Sequence, residues 1–233
     1  LRTKVLIIEA KPELSKLLFS DFIKEKIIVE SLPLSGFGQK KQPHDYHFII
    51  VDVDARNPIN TTELESIQKV KGKALLLFII AKESTFDTLE GFSSGVDLYL
   101  RKPISNLELL FQIKVLKTRF FPMVVTEVVE PMNFANIKLN PSDFSVDVDG
   151  EMVYLTKMEF NLLSFFIINK AKALSRDTIL NAVWGFNYDG STRIIDVHVY
   201  NLKTKLKRAD CSIRSVRGIG YCLFLKRSEM KVS

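Results

Sequence analysis

The stretch RIIDVHVYNLKTKLK, residues 193–207, admits two readings. β-Branched residues crowd its first half, as in a strand, and lysines crowd its second. At the helical period of about 3.6 residues, Ile195, Val199, Leu202 and Leu206 line up as one narrow apolar stripe. Opposite that stripe, at about 100° per residue, stand Arg193, Val197, Tyr200, Asn201, Thr204 and Arg208, with His198, Lys203 and Lys205 on its flanks. A strand would instead put Ile195, Val197 and Val199 on one face with Asn201, Lys203 and Lys205. The helix accounts for more positions. It also leaves Val197 exposed among hydrogen-bond donors, which folding alone does not explain.

Charge around this stretch points outward from it. The chain has 233 residues, enough for two domains of ordinary size. An apolar content of 46% with 10% aromatics provides for packed cores and excludes global disorder. The net charge of +6 is mild, yet from Arg193 to Arg217 seven basic side chains face only Asp196 and Asp210. A local excess of this kind suits a polyanion footprint; a solvated surface helix is the bland alternative. Cys211 and Cys222 are the only cysteines, and nothing else suggests an oxidising compartment. His44 and His47 lie far from them in sequence, so no metal site is expected. No apolar run approaches the roughly 20 residues of a membrane span, and VLII (5–8) is too short for a signal peptide. A cytoplasmic protein without membrane contact is expected.

In the first half, apolar runs alternate with amphipathic stretches. KVLII (4–8), IIV (27–29), HFIIV (47–51), ALLLFII (74–80) and LYL (98–100) read as strands. Residues 12–24, 62–70, 84–94 and 105–118 read as helices. Continuous apolar strands between helices imply a parallel sheet covered on both faces. The segment 31–43, with two prolines and two glycines, leaves room only for a short or broken helix. In such sheets chemistry gathers beyond the carboxyl ends of the strands, and Glu9, Asp52 and Lys102 each follow an apolar run there.

These residues resemble the receiver domain of bacterial response regulators. KVLIIEAKPEL resembles its first strand and acidic turn. DYHFIIVDVDARNP places Asp52 at the phosphoacceptor position. GVDLYLRKPISNLELL places Lys102 as the phosphate-pairing lysine and Tyr99 as the switch aromatic. The pocket is degenerate against that family. Ala10 stands where a second acidic residue would ligate Mg²⁺, and Ile80 stands where a hydroxyl would meet the phosphoryl group. Mg²⁺ demands near-octahedral oxygen coordination, so its binding is expected to be weak or absent, and no cofactor is expected. Asp54 is a candidate substitute carboxylate. In the family, active dimers form through the last two helices and last strand of the receiver. There Glu108 and Lys114 are kept, Gln112 stands for a usual Arg, and Leu98 replaces an Asp. The resemblance thus implies a receiver acting as a homodimerisation module largely without phosphorylation.

RFFPMVVTEVVEPM (119–132) has prolines near both ends and no helical stripe, so it reads as a linker. Strand-like IKL (137–139), FSVDV (144–148) and MVYL (152–155) follow, with Asp149-Gly150 as a hairpin signal. TKME (156–159) is a capping box opening a helix through about 169. Ser175 caps another helix, with Ile179, Leu180, Val183 and Trp184 as its apolar face. GFNYDGS (185–191) is a loop, and IRSVRGIGYCLF (213–224) reads as a hairpin. A small sheet, three helices and a terminal hairpin make a winged helix-turn-helix.

LTKMEFNLL, LSRDTILNAVWG, STRIIDVHVYNLKTKLK and IRSVRGIGY resemble, in order and spacing, the effector domain of OmpR/PhoB-type response regulators. The fold class implied is a flavodoxin-like doubly wound α/β receiver at 1–118, a linker at 119–133, and an α+β winged helix-turn-helix domain at 134–227. The opening helix would then enter the major groove of double-stranded DNA. Asn201 is expected to read adenine and Val197 a thymine methyl. Arg193, His198, Lys203 and Lys205 suit phosphate contacts, and Thr204 shares the reading face. Arg217 resembles the wing arginine that enters the minor groove, and Gly218 and Gly220 permit its tight turn and close approach. Loop 185–191 resembles the segment that touches RNA polymerase. A conventional regulator activated by phosphorylation of Asp52, with a sensor kinase as partner, is the alternative. A phosphoryl-transfer enzyme lacks a phosphate-cradling Gly-rich loop, and an adaptor without DNA binding conflicts with the basic helix.

Overall fold

The first strand runs straight into the first pocket residue. In the structure, a computed structural model that describes residues 2–34, 37, 46–53, 59–81, 95–121, 130–185 and 192–226, β1 spans Lys4–Glu9 and is buried from Val5 onward. Helix α1 (Leu14–Lys24) follows, then β2 (Ile28–Pro33), β3 (Phe48–Val53), α2 (Thr61–Lys71), β4 (Leu75–Ile80), β5 (Leu98–Arg101) and α3 (Asn106–Phe120). The strands form one parallel sheet in the order β2-β1-β3-β4-β5. This is the flavodoxin-like doubly wound order, with its crossover between β1 and β3. β4 is buried at every position, as expected for a central parallel strand with both faces covered.

Local signals place the helix starts. Asn60 and Glu63 form a reciprocal capping box on α2, and Ser105 and Glu108 form one on α3. Each satisfies backbone donors that the first helical turn leaves open. The predicted strand 27–29 extends to Pro33, because β2 is an edge strand, where a missing N–H is tolerated. The predicted helix 84–94 and Asp54 lie outside the described residues.

The second unit is a separate body. Contacts divide the chain at Val125/Thr126, inside the segment read as a linker. Its ends depart from that reading: α3 continues to Phe120, and β6 (Met132–Phe134) takes up the last linker residues. β6 joins β7 (Ile137–Asn140), β8 (Ser145–Val148) and β9 (Glu151–Met152) in a four-stranded antiparallel sheet. The β6–β7 turn uses Ala135 at φ 54°, a conformation that carries no sequence signal when no Gly is present. By contrast, the β8–β9 turn has Asp149 and Gly150 both at positive φ, as a type I′ hairpin requires.

Among the described residues, three helices complete this unit: α4 (Lys157–Ile168), α5 (Arg176–Val183) and α6 (Arg193–Lys205). The Thr156/Glu159 capping box opens α4, and the Ser175 hydroxyl accepts a hydrogen bond from the Thr178 N–H at 3.0 Å to open α5. The hairpin of β11 (Cys211–Val216) and β12 (Gly220–Leu225) forms a three-stranded sheet with β10 (Leu174–Ser175), in the order β10-β12-β11. A Cβ on Gly220 would lie 2.2 Å from the Leu174 carbonyl oxygen, so only glycine lets β12 approach β10 this closely. Gly218, at φ 74°, makes the turn. Cys211 and Cys222 are both free thiols.

Candidate nucleic-acid interface and receiver pocket

The receiver pocket is built at the ends of β1, β3 and β5. Glu9 and Asp52 are register partners across β1 and β3. The Glu9 carboxylate is buried and engaged in hydrogen bonds through both oxygens. Its Oε2 accepts hydrogen bonds from the Leu14 and Ser15 backbone N–H groups at 2.9 and 3.2 Å, and its Oε1 accepts one from the Ser31 hydroxyl at 2.8 Å. Leu14 and Ser15 open α1, whose own N-cap residue, Glu13, makes no side-chain cap. Glu9 therefore caps the helix from the preceding strand, where an anion also meets the positive end of the helix dipole. A carboxylate has about four acceptor sites, and three protein donors already use this buried one. Ala10 beside it is exposed and adds no side-chain oxygen.

Asp52 keeps its partner. Lys102 Nζ lies 2.5 Å from Asp52 Oδ1, and the Lys102 backbone N–H donates to the Ile80 carbonyl at 2.8 Å. The Ile80 side chain is buried. Tyr99 is buried too, its ring edge-to-face with Phe78 at 5.9 Å. Among the described residues, no group of three or more His, Cys, Asp or Glu side chains is placed to hold a metal. Two expectations about the dimer face change. Leu98 and Gln112 are both buried within the chain, so neither contributes to an exposed surface. Lys114 pairs at 2.7 Å with Glu25, the residue that follows α1, and Glu108 is engaged in the α3 cap.

In the second unit, α6 carries the predicted apolar stripe: Ile195, Val199, Leu202 and Leu206 are all buried. Its outward face is rotated from the predicted one. Val197 is 4% exposed and His198 2% exposed, whereas Tyr200 is 61% exposed. Arg193, Lys203, Thr204 and Lys205 are exposed, and Asn201 is half-buried. Neither Val197 nor His198 is thus presented to a ligand by this unit. The His198 ring packs on the indole of Trp184, with ring centroids 5.2 Å apart, so it belongs to the core. The stripe is wider than a four-residue seam because Ile194 and Val197 are buried beside it; a helix packed against two others needs a broad apolar arc.

Lys205 is only partly available. Its ammonium sits 2.6 Å from Oε2 of the buried Glu159, which also accepts from the Thr156 N–H at 2.8 Å. The lysine therefore ties the end of α6 to the start of α4. Arg217 is exposed in the hairpin turn, as the sequence reading required.

A triad that the sequence reading missed joins the hairpin to α6. Arg176, the first residue of α5, donates from Nε to Asp196 Oδ1 at 3.0 Å, and its Nη2 lies 3.0 Å from the same oxygen. Tyr221 of β12 donates its phenol to that oxygen at 2.8 Å. The Arg176 guanidinium lies 5.1 Å from the centre of the Tyr221 ring, and Lys203 Nζ lies 5.9 Å from it, both within cation–π range. Burial pushes the Tyr221 phenol up to about 12, and its bond to Asp196 adds to the shift; it stays protonated and donating at neutral pH. Burial works against the Arg176 charge, but the bond and charge of Asp196 outweigh it and raise its pKa. Asp196 had a signal in the sequence. It is a lone acid among bases on the helix, and such a residue asks for a cationic partner.

Comparison with known proteins agrees with this geometry. The family described as "Transcriptional regulatory protein, C terminal" matches residues 150–223, which contain α4 to α6 and most of the terminal hairpin. Response regulator ArlR of Staphylococcus aureus (strain Mu50 / ATCC 700699) is 31% identical over 224 residues, spanning 95% of this chain and 99% of its own. Two solved structures of RitR mutants share the fold at TM-scores of 0.67 and 0.66, each 23% identical and covering 96% of this chain and 99% of their own. The near full-length match to a response regulator, with the carboxyl-terminal family model lying on the winged helix that follows a parallel α/β receiver, leaves one assignment: the chain belongs to the OmpR/PhoB-type response regulators, which bind DNA.

Proposed function

We propose that this protein is a sequence-specific regulator of transcription in the cytoplasm that binds double-stranded DNA as a homodimer, largely independently of phosphorylation. The observation that carries the second half of this reading is the Glu9 carboxylate, held by two backbone N–H groups and a hydroxyl at the start of α1. With Ala10 beside it, the pocket supports Mg²⁺ weakly or not at all. Phosphoryl transfer to Asp52 then lacks the cation that would balance the incoming charge. The receiver is left with a dimerising role, supported by Leu107 and Phe111, which stand one helical turn apart on α3 and are 75% and 49% exposed.

On the DNA side, Arg193, Tyr200, Asn201, Lys203 and Thr204 form the face that enters the major groove, and Arg217 reaches the minor groove. Asn201 supplies the bidentate pattern suited to adenine. Arg193 and Lys203 position the helix on phosphates, with Lys205 in a smaller share because of its bond to Glu159. Loop 185–191 is the candidate contact for RNA polymerase.

Selection of bound DNA from a random pool, followed by binding at several salt concentrations, tests this reading. Direct repeats about one helical turn apart are expected. Asn201→Ala should cost about 1–3 kcal/mol and relax one base position. Lys203→Ala should weaken all sequences alike and lower the salt slope by about one. If neither substitution changes binding, the face is wrong. A conventional phosphorylation switch, with a sensor kinase upstream, is favoured by one observation: the retained Asp52–Lys102 pair. Intact mass after incubation with a small phosphodonor and Mg²⁺ separates the two, because stable phosphate on Asp52 with tighter dimerisation would support the switch.

A further inference from the structure

The winged-helix unit contains a cleft that DNA contact does not explain. It lies between the carboxyl-terminal half of α6 and the root of the β11–β12 hairpin, with a volume of ≈ 340 Å³. Small-molecule sites run from roughly 300 to 1,000 Å³ and combine an apolar lining with a few polar groups. The floor is Leu202, Leu206, Ile213 and Leu223. Cys211 completes it, and burial pushes its thiol up to about 11, so it stays neutral. Three lysines, Lys203, Lys207 and Lys226, also line it. Among the described residues no carboxylate pairs with any of them. Lys226 Nζ donates to the Lys207 carbonyl at 3.0 Å, which fixes its ammonium near the mouth and leaves it two further donors.

Charge alone would serve a phosphate backbone, which is polar and has no use for an apolar pocket. Apolar lining alone would serve a neutral hydrocarbon, which has no use for three cations. The combination fits one chemistry: an apolar chain that enters the cleft and a single anionic head that stays at its mouth. We infer that this cleft binds a small amphiphilic carboxylate, its chain on Leu202, Leu206, Ile213 and Leu223 and its head among Lys203, Lys207 and Lys226. Lysine stems are well suited to such a rim, since their methylenes extend the apolar wall while the ammonium faces water. Lys203 also belongs to the face assigned to DNA, so a bound carboxylate would neutralise a phosphate-contacting side chain. This consequence, unlike the binding itself, rests on the DNA reading proposed above.

The test uses the whole 233-residue chain and three ten-carbon probes: decanoate, decanol and decyltrimethylammonium. Calorimetry and amide chemical shifts read binding with no DNA present. Decanoate is expected to bind saturably at one site, with shifts confined to residues of α6, β11 and β12 around the cleft. Decanol should bind at least about ten-fold more weakly, and the cation not measurably. Lys226→Glu, a change at an exposed side chain, should weaken decanoate about ten-fold while the shifts elsewhere stay native. Ser212→Trp, at the cleft wall, should block it, and Lys226→Glu keeps the test valid if that variant fails to fold. No saturable decanoate binding, equal binding of all three probes, shifts outside the cleft, or indifference to Lys226→Glu would each overturn the site. DNA binding is measured separately. Loss of DNA affinity on adding decanoate supports the coupling, whereas absence of DNA binding without decanoate counts against the DNA reading and not against the cleft.

Discussion

Two buried glutamates, one in each half of the molecule, act as helix caps with different consequences. In the receiver, Glu9 reaches from the end of β1, where Asp52 is its register partner, to cap α1. In the winged-helix unit, Glu159 caps α4 and holds Lys205 at 2.6 Å, so that the cap also anchors α6. The same side chain and the same local task thus engage the carboxylate next to Asp52 in one unit and tie two helices together in the other. A motif residue is informative only once its hydrogen-bond partners are known.

The contrast can be broken most severely at Gly220. A methyl group there would meet the Leu174 carbonyl at 2.2 Å and the Arg176 nitrogen at 3.1 Å, both backbone atoms that no rotamer change can move aside. Gly220→Ala is expected to destabilise the winged-helix unit by on the order of 3 kcal/mol. Urea unfolding followed by the fluorescence of Trp184, the only tryptophan, should show the second unit melting early. A receiver-specific amide signal should be unchanged. Equal loss in both halves would mean that the two units do not fold as separate bodies.

The glutamates come next. Glu159→Ala removes a capping-box partner and releases Lys205, so a loss of about 2 kcal/mol is expected, at the upper end of the capping range. Glu9→Ala removes a cap without breaking an ion pair, and about 1 kcal/mol is expected. Chemical denaturation of each variant, with the two units monitored separately, checks both the order and the location. Should Glu9→Ala prove neutral, α1 does not depend on this cap, and the carboxylate would be free to serve the pocket.

How far these features were legible in the sequence follows from the same physics. Buried parallel strands, the 156–159 capping box, the Asp149-Gly150 turn and the Gly218/Gly220 pair all carry local signals, and the elements stand where those signals put them. The four stripe residues of α6 were equally readable, because periodicity reports the buried side directly. The opposite side was not. Periodicity says which residues face the core, yet the width of the buried arc depends on how many elements pack against the helix. That is why Val197, assigned to the open face, and His198, assigned to the flank of the stripe, are in the core. The engagements of Lys205 and Glu9 were not legible either: Lys205 pairs with Glu159, 46 residues away, and Glu9 turns back onto the start of the helix that follows it, which strand periodicity does not reveal. Asp196 was legible as an anomaly, but Arg176 and Tyr221 as its partners were not.

The smallest expected effect is also the sharpest test of the receiver. If the pocket is inactive for want of a second carboxylate and a hydroxyl, Asp52→Asn should leave DNA affinity and dimerisation within about two-fold of the original, less than about 0.5 kcal/mol. Substitution alone cannot separate an inactive pocket from one never stimulated, so the reverse change is needed. Ala10→Asp supplies the missing ligand and Ile80→Thr the missing hydroxyl, at an exposed and a buried position respectively. Together they should raise Mg²⁺ affinity measurably by titration, since Asp52 and the restored carboxylate would then offer adjacent oxygens to a cation that favours them. Glu9 should stay on α1 throughout, so the gain is expected to fall short of a full acidic pair. If the double variant binds Mg²⁺ no better than the original, the loss of two oxygens does not explain the pocket, and the neutralising contact of Lys102 with Asp52 becomes the stronger cause.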